Sequence, residues 1–309
     1  MKKILIVADI PGWIFHRHAL EIKKRLGNDY QIDIGFSRGT NVVKLEPQYD
    51  CIYIMDPMQM SYPDPKKVIM GLRCEFMYLK HPNGAKGLYE NGMPNWGSSI
   101  KNRCCVFHVV NKRQFKVFEP IVKDKPLLLV RHGVDETCFD KKLYPEKERR
   151  DKLVVGIVGR RGSQGNKGFD IIEKACEKTG YKLVFASYDG QRLTKEQMPK
   201  FYNQIDLYVC MSESEGLQNP TLEAGAMEVP VITTNCGAAE EMIVNGKSGL
   251  IIKRDFNVLC GALEKMKNDE FRLSCGNLFY EEIMKNWTWK EKIKEYKDMF
   301  EVYFKLKDN

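Results

Sequence analysis

No stretch of this 309-residue sequence stays apolar for the ~20 residues that a membrane-spanning helix needs. The opening MKKILIVADIPGW sets two lysines before a brief apolar run, yet no small-residue cleavage site follows. The run is too short for a signal peptide, and the expectation is a first buried strand in a cytoplasmic protein. There is no C-x-x-C pair and no grouping of cysteine with histidine, although the chain holds 10 cysteines. Scattered thiols inside apolar runs, such as Cys51 in YDCIYIM and Cys210 in DLYVCM, argue against a metal site. They point instead to reduced, buried residues. Internal repeats and low-complexity tracts are missing too, which removes solenoids and disordered tails from consideration.

What is present suits a soluble globular protein of two domains, with 43% hydrophobic and 29% charged residues. Charge is unevenly spread. Residues 1–150 hold 26 Lys and Arg against 17 Asp and Glu, whereas the remainder holds 23 against 24. A basic excess confined to one half suits an anionic partner: an anionic acceptor, an anionic membrane surface or a nucleic acid. The aromatic-and-basic interleaving of nucleic-acid modules is absent.

Strand-like and helix-like segments alternate. Strands are expected at 3–9, 31–36, 50–55, 75–80, 105–110 and 126–131, with helices at 16–26 and 67–72. His16 and His18 fall on the first helix, as surface or interdomain residues. The charged run at 141–152 reads as a linker, and the pattern then restarts. Strands follow at 153–159, 182–187, 206–211, 229–234 and 249–253, with helices at 168–178 and 195–205 and two more near the end. Such alternation predicts an α/β protein with parallel sheets covered on both faces.

Chemistry concentrates in 212–250, SESEGLQNPTLEAGAMEVPVITTNCGAAEEMIVNGKSGL. Asn219-Pro220 opens a helix there, Asn as cap and Pro in the first turn. Unpaired amides at a helix start, with the positive end of its dipole, suit a phosphate group. Glu215 lies on the loop leading in and Glu223 in the first turn, and each carboxylate is able to accept two hydroxyl hydrogen bonds. A ligand anionic at one end and hydroxyl-rich at the other, such as a nucleoside-diphosphate sugar, fits this set. Ahead of it, GRRGSQGNKG (159–168) follows a strand. It matches neither a Walker loop nor G-x-G-x-x-G, yet glycines with cations at a strand's C-terminal end describe a phosphate site.

Glu215-Gly216-Leu217, Asn219, Leu222-Glu223-Ala224, Val229-Pro230-Val231-Ile232, Gly237, Glu240-Glu241, Asn245-Gly246 and Gly249-Leu250 together resemble the Glu-x7-Glu region of retaining glycosyltransferases of family 4. The resemblance implies the GT-B fold: two Rossmann-like domains with parallel sheets facing across a cleft, and a terminal helix crossing back. On that basis residues 1–147 form an acceptor-binding domain, 148–285 a nucleotide-sugar domain, and 286–309 the returning helix. It further implies Glu215, Arg160, Lys167 and His81 as catalytic residues. Gly12, Arg161, Gly216, Leu217, Gln218, Asn219 and Glu223 are implied to bind the donor. Arg160, or Arg161 because the loop is longer than usual, and Lys167 would hold the diphosphate. No cofactor and no metal is expected. His132 precedes Gly133-Val134-Asp135 in a segment similar to the family's pre-linker turn, a structural role. The first loop, Ile10-Pro11-Gly12-Trp13, lacks the family's Gly-Gly pair; Gly12 alone allows close approach, and Trp13 is placed to stack on a sugar.

The implied function is retaining transfer of a hexose or similar sugar, from a UDP- or GDP-linked donor, to a hydroxyl acceptor such as a glycan or lipid-linked saccharide. The basic half leaves peripheral contact with the inner face of a membrane, or contact with DNA, open. Alternatives are a transferase acting on modified DNA bases, a nucleotide-sugar epimerase or phosphorylase on the same fold, and a non-catalytic nucleic-acid-binding protein.

Overall fold

The computed structural model describes residues 1–55, 63–73, 89–90, 93–94, 101–146, 151–159, 167–187 and 193–308. Two compact units emerge, Met1–His132 with Lys292–Asn309, and Gly133–Glu291.

In the first unit β1 (Lys3–Ala8), β2 (Gln31–Phe36), β3 (Cys51–Ile54), β4 (Val68–Leu72), β7 (Val106–Val109) and β8 (Leu127–Leu129) form a sheet of order β2-β1-β3-β4-β7-β8. Every pairing in it is parallel. A two-residue antiparallel hairpin, β5 (Tyr89–Glu90) and β6 (Met93–Pro94), stands apart. Strands β3, β4 and β7 are buried at every residue, as expected of a parallel sheet covered on both faces. β4 corrects the helix expected over 67–72. VIMGL is a short apolar run without period, which sequence reading does not separate from a helix turn; pairing with β3 and β7 makes it a central strand.

Helix α1 (Ile14–Leu26) buries His18, Ala19, Ile22 and Leu26, so His18 is a core residue and not a surface one. Besides short single turns, two helices of 11 residues each pass unnoticed in the sequence. The first, α3 (Lys112–Val122), comes after a short α2 (Val42–Leu45) and carries Pro120 near its end, which masks the period. Its cap is nonetheless sound: Asn111 Oδ1 accepts from Gln114 N at 2.7 Å.

A buried polar cluster caps this sheet at the C-terminal ends of its strands. Arg73 donates to Tyr53 Oη at 2.7 Å, Met55 O at 3.1 Å and Tyr296 Oη at 3.4 Å, and lies against Nδ1 of His18. Tyr53 Oη in turn lies 2.7 Å from His108 Nε2. The imidazole of His108 is neutral. Burial first, and then the guanidinium, hold the His108 pKa well below its ordinary value. Tyr296 belongs to the last helix, α10 (Trp289–Asp308), whose Tyr296, Met299, Phe300 and Tyr303 are buried. Arg131 clamps Glu295 of the same helix at 2.7 Å, and Tyr303 Oη donates to Asp50 O at 2.7 Å.

The second unit repeats the architecture. Strands β9 (Val154–Gly159), β10 (Lys182–Ser187), β11 (Leu207–Cys210), β12 (Val231–Thr234) and β13 (Leu250–Ile252) order as β10-β9-β11-β12-β13, all parallel. Helices α4 (Phe169–Thr179), α5 (Met198–Asn203), α6 (Asn219–Ala226), α7 (Ala239–Met242), α8 (Phe256–Met266) and α9 (Asp269–Asn286) accompany it. Helix α8, the other one the sequence reading passes over, is capped by Asp255, which accepts from Asn257 and Val258. Val155, Ile157, Val209, Ile232 and Leu263 are among its core residues. The division at His132/Gly133 falls ahead of the charged run at 141–152. Residues just after it are tied into the second unit: Val134 N donates to Trp287 O at 2.8 Å, Tyr280 Oη to Asp140 Oδ1 at 2.8 Å, and Lys195 pairs with Asp135. The expected boundary at 147/148 lies outside the described residues.

Candidate functional site

In the second sheet β9 lies between β10 and β11, so the chain winds first to one side and then to the other. Open α/β sheets bind ligands in the crevice at the carboxyl ends of the strands where that reversal occurs. A small cleft open to solvent occupies that place, and Lys167, Phe169, Cys210, Ser212, Glu215 and Gln218 are in its wall.

Lys167 reaches the cavity because of the residue after it. Gly168 has φ +65°, and a Cβ there would stand 2.8 Å from Met211 O, so only glycine permits the turn into α4. The ammonium of Lys167 pairs directly with Glu215 Oε1. Ser212 Oγ donates to the same oxygen at 2.7 Å, and Thr234 Oγ1 donates to Ser212 O. Burial works against the charge on Lys167, but the facing Glu215 carboxylate and the nearby Cys210 and Cys236 sulfurs together outweigh it and raise the pKa. The lysine is therefore a fixed cation, with 31% of its side chain still exposed. A cation beside a carboxylate, at the mouth of a cavity and between helix starts, can meet phosphate with one group and hydroxyls with the other.

Glu223 lies on α6, where Tyr202 Oη donates to its Oε2 at 2.8 Å. The helix start differs by one residue from expectation. Gln218, in an extended conformation, is the N-cap, Asn219 is already helical, and no side chain caps the helix. The Gln218 amide is engaged elsewhere, donating to Cys236 O at 3.2 Å and to its Sγ at 3.0 Å, and so ties the Glu215 loop to the turn after β12. That turn contains Gly237 at φ +56°, where an added Cβ would meet Gly216 O at 2.5 Å and Glu215 Cβ at 3.1 Å. Leu217 is buried, which leaves only its backbone for a ligand.

Thus Lys167, Glu215 and Gln218 share one cavity, with Gly216, Leu217, Asn219 and Glu223 on the loop and helix beside it. Gly12 belongs to the first unit, at φ +79° with its N–H donated to His16 Nδ1 at 2.9 Å. His81, Arg160 and Arg161 lie outside the described residues. Sequence reading passed over Ser212 and Tyr202, and took Cys210 only for a buried thiol. Ser212 has a local signal, a hydroxyl at a strand end three residues before Glu215; Tyr202 has none, its partner lying 21 positions away. Among the described residues no group of three His, Cys, Asp or Glu is placed to hold a metal ion, and no helix is long and apolar enough to cross a membrane.

Residues 141–269 match the family described as Glycosyl transferases group 1. The chain is similar to the capsular polysaccharide biosynthesis glycosyltransferase CapM of Staphylococcus aureus, at 34% identity over 44% of this chain and 42% of that one. It is also similar to the lipopolysaccharide core biosynthesis mannosyltransferase LpsB of Rhizobium meliloti, at 28% identity over 50% of this chain and 54% of that one. The chain thus spans about half the length of these curated relatives, 42% and 54%. Among solved structures, HepE of Anabaena in complex with UDP-glucose superposes with a TM-score of 0.72 at 11% identity, over 98% of this chain and 99% of that one. A glycosyltransferase from Rickettsia africae ESF-5 gives 0.71 at 14% identity, over 98% and 99%. At such identities the likeness is one of fold: two Rossmann-like parallel-sheet units, as in GT-B glycosyltransferases.

Proposed function

We propose that this chain, whose second unit carries the group 1 glycosyltransferase match, moves a sugar from a nucleoside-diphosphate sugar to a hydroxyl acceptor with retention of configuration. The observation that carries the reading is the meeting of Lys167 with Glu215, 48 positions apart, at the switch point of the second sheet.

Breaking the bond between the anomeric carbon and the diphosphate builds negative charge on the leaving oxygen. Lys167, the amides opening α4 and α6, and Arg160 or Arg161 would stabilise that charge without reorganising, and no resident metal enters the proposal. Glu215 would grip sugar hydroxyls and favour the cationic character that develops on the ring. Glu223, steadied by Tyr202, would take the ribose hydroxyls. The acceptor's proton would pass to a donor phosphate oxygen on the face from which the leaving group departs. A uridine donor is favoured by the fold neighbour crystallised with UDP-glucose. An anionic glycan or lipid-linked acceptor is favoured by the basic N-terminal half, and the polysaccharide and lipopolysaccharide relatives are in keeping with it.

Binding and slow hydrolysis of UDP-, GDP-, ADP- and dTDP-sugars should be compared in the wild type, Lys167→Ala and Glu223→Ala. One donor should stand out, with loss of turnover in the first variant and weaker nucleotide binding in the second. Unchanged nucleotide binding in Glu223→Ala would remove its ribose role, and failure of all four donors to bind would end the proposal.

A further inference from the structure

Two donors meet on one oxygen of the Glu215 carboxylate. The Lys167 ammonium and the Ser212 hydroxyl both donate to Oε1, the latter at 2.7 Å, whereas Oε2 accepts from no group among the described residues. A carboxylate oxygen offers about two lone-pair sites, so Oε1 is filled and Oε2 keeps its full capacity for a ligand. Glu215 lines the cleft of the second unit, with 19% of its side chain exposed.

Ser212 imposes this asymmetry because it is itself held. Pairing of β11 with β12 ends at Cys210 opposite Thr233, so the carbonyls of Met211 and Ser212 lie beyond the ladder and need other donors. Side chains from the next two strands supply them. Thr234, the last residue of β12, donates through Oγ1 to Ser212 O. Arg254, just past β13, donates through Nε to Met211 O at 2.9 Å. Ser212 is buried, and its single proton goes to a carboxylate that has none to return. The Cys210 thiol donates to its Oγ from the other side at 3.4 Å. The Cβ of Glu215 is fixed separately, by its packing against Gly237. What is left is rotation of the carboxylate about its last bond, a broad and soft torsion, and the Ser212 hydroxyl sets it.

We propose that Ser212 is a positioning residue and that, with Thr234 and Arg254 behind it, it makes Glu215 the group that tells a sugar-bearing nucleotide from a bare one. The inference rests on the function proposed above and deepens it. With Oε1 filled, the open oxygen needs a hydrogen-bond donor, and an ionised diphosphate has no proton to give. A sugar hydroxyl does. The Lys167 ammonium has three donors, of which Glu215 takes one, and the others suit the diphosphate. Lys167 and Glu215 thereby divide the ligand between them at the bond that breaks. Without the Ser212 hydroxyl the carboxylate turns until both oxygens face Lys167. The acceptor for the sugar is then withdrawn, while the nucleotide part of the site stays as it was.

The test titrates UDP and UDP-glucose into the wild type, Ser212→Ala and Thr234→Val by calorimetry, and compares ligand-free crystals of the wild type and Ser212→Ala. In Ser212→Ala the UDP-glucose affinity should fall about tenfold, as for loss of one hydrogen bond to a charged group. UDP affinity and the unfolding midpoint should not change, and the crystal should show both Glu215 oxygens turned toward Lys167. Thr234→Val should weaken UDP-glucose in the same direction by a smaller factor. A carboxylate that keeps its orientation in Ser212→Ala would overturn the positioning role. Equal loss of UDP and UDP-glucose affinity would make Ser212 a structural residue, and unchanged UDP-glucose affinity would take the sugar away from Oε2. A turned carboxylate in a protein whose wild type binds neither ligand would leave the positioning role standing and remove the uridine-donor reading instead.

Discussion

Each unit holds a cation at the C-terminal ends of its parallel strands, and the two are treated in opposite ways. Arg73, in the first unit, is 5% exposed and gives its hydrogen bonds to neutral acceptors, two tyrosine hydroxyls and a carbonyl. No ion pair of Arg73 occurs among the described residues. Lys167, in the second unit, keeps 31% of its side chain exposed and faces a carboxylate at the mouth of a cavity. A buried guanidinium satisfied by fixed dipoles has nothing to exchange, so it acts as a structural pin between the sheet and α10. An ammonium paired with one carboxylate at an open cavity can trade part of that pairing for a ligand's phosphate. The chemistry of the partners, more than the presence of a cation, separates the pin from the site.

The sharpest way to break this comparison is to remove the exchangeable pair. Lys167→Ala and Glu215→Gln should each lower kcat by ~10²–10³-fold, the usual cost of losing one transition-state charge partner, with little change in urea midpoint. A variant that lost stability in step with activity would make this pair a pin as well.

Removing the pin should do the reverse. In Arg73→Met the buried hydroxyls of Tyr53 and Tyr296 lose their donor, at ~1–3 kcal/mol for each group left unsatisfied. The midpoint of the unfolding transition that reports on the first unit should fall, while UDP binding to the folded protein persists. Equal stability of wild type and variant would deny Arg73 its structural role.

The same cluster should give the first unit a dependence on acid. His108 is neutral when folded, with its pKa held well below the ordinary value by burial and by Arg73, but is free to protonate once unfolded. The unfolded state therefore binds the extra proton, and stability present above pH ~6.5 declines as pH falls, by up to ~1.4 kcal/mol per pH unit. Urea titrations between pH 8 and 5 should show that slope in the wild type and lose it in His108→Gln; a slope that survives in the variant belongs to another group.

The smallest effect tests the flank of the site. Tyr202→Phe removes one hydrogen bond to the Glu223 carboxylate, worth ~1 kcal/mol. KM for the donor should rise several-fold with kcat nearly unchanged. A fall in kcat at constant KM would place Tyr202 in the chemistry instead of in the positioning of Glu223.

Much of the fold was legible because parallel sheets write themselves as apolar runs separated by polar helices, and the runs at 31–36 and 182–187 coincide with β2 and β10. Helices α3 and α8 escaped because their caps, Asn111 and Asp255, were not sought beside runs broken by Pro120 or by charge. β4 escaped because its five residues carry no period. At the candidate site, Glu215 and Glu223 stood out through the loop and helix-start chemistry around them and Lys167 through the family resemblance, whereas Ser212 and Tyr202 did not, because a hydroxyl acquires meaning only from what it faces.

The sequence by itself determined the alternation of strands and helices, the glycine turn that carries Lys167 and the two glutamates at a helix start, since each is a local consequence of backbone conformation and side-chain type. Only the tertiary structure decided which charges meet. Lys167 and Glu215, and Tyr202 and Glu223, arrive from separate helices and loops, and it is the order β10-β9-β11-β12 that brings them together. Coulomb energies and hydrogen bonds depend on distance in space, and separation along the chain does not reveal that distance.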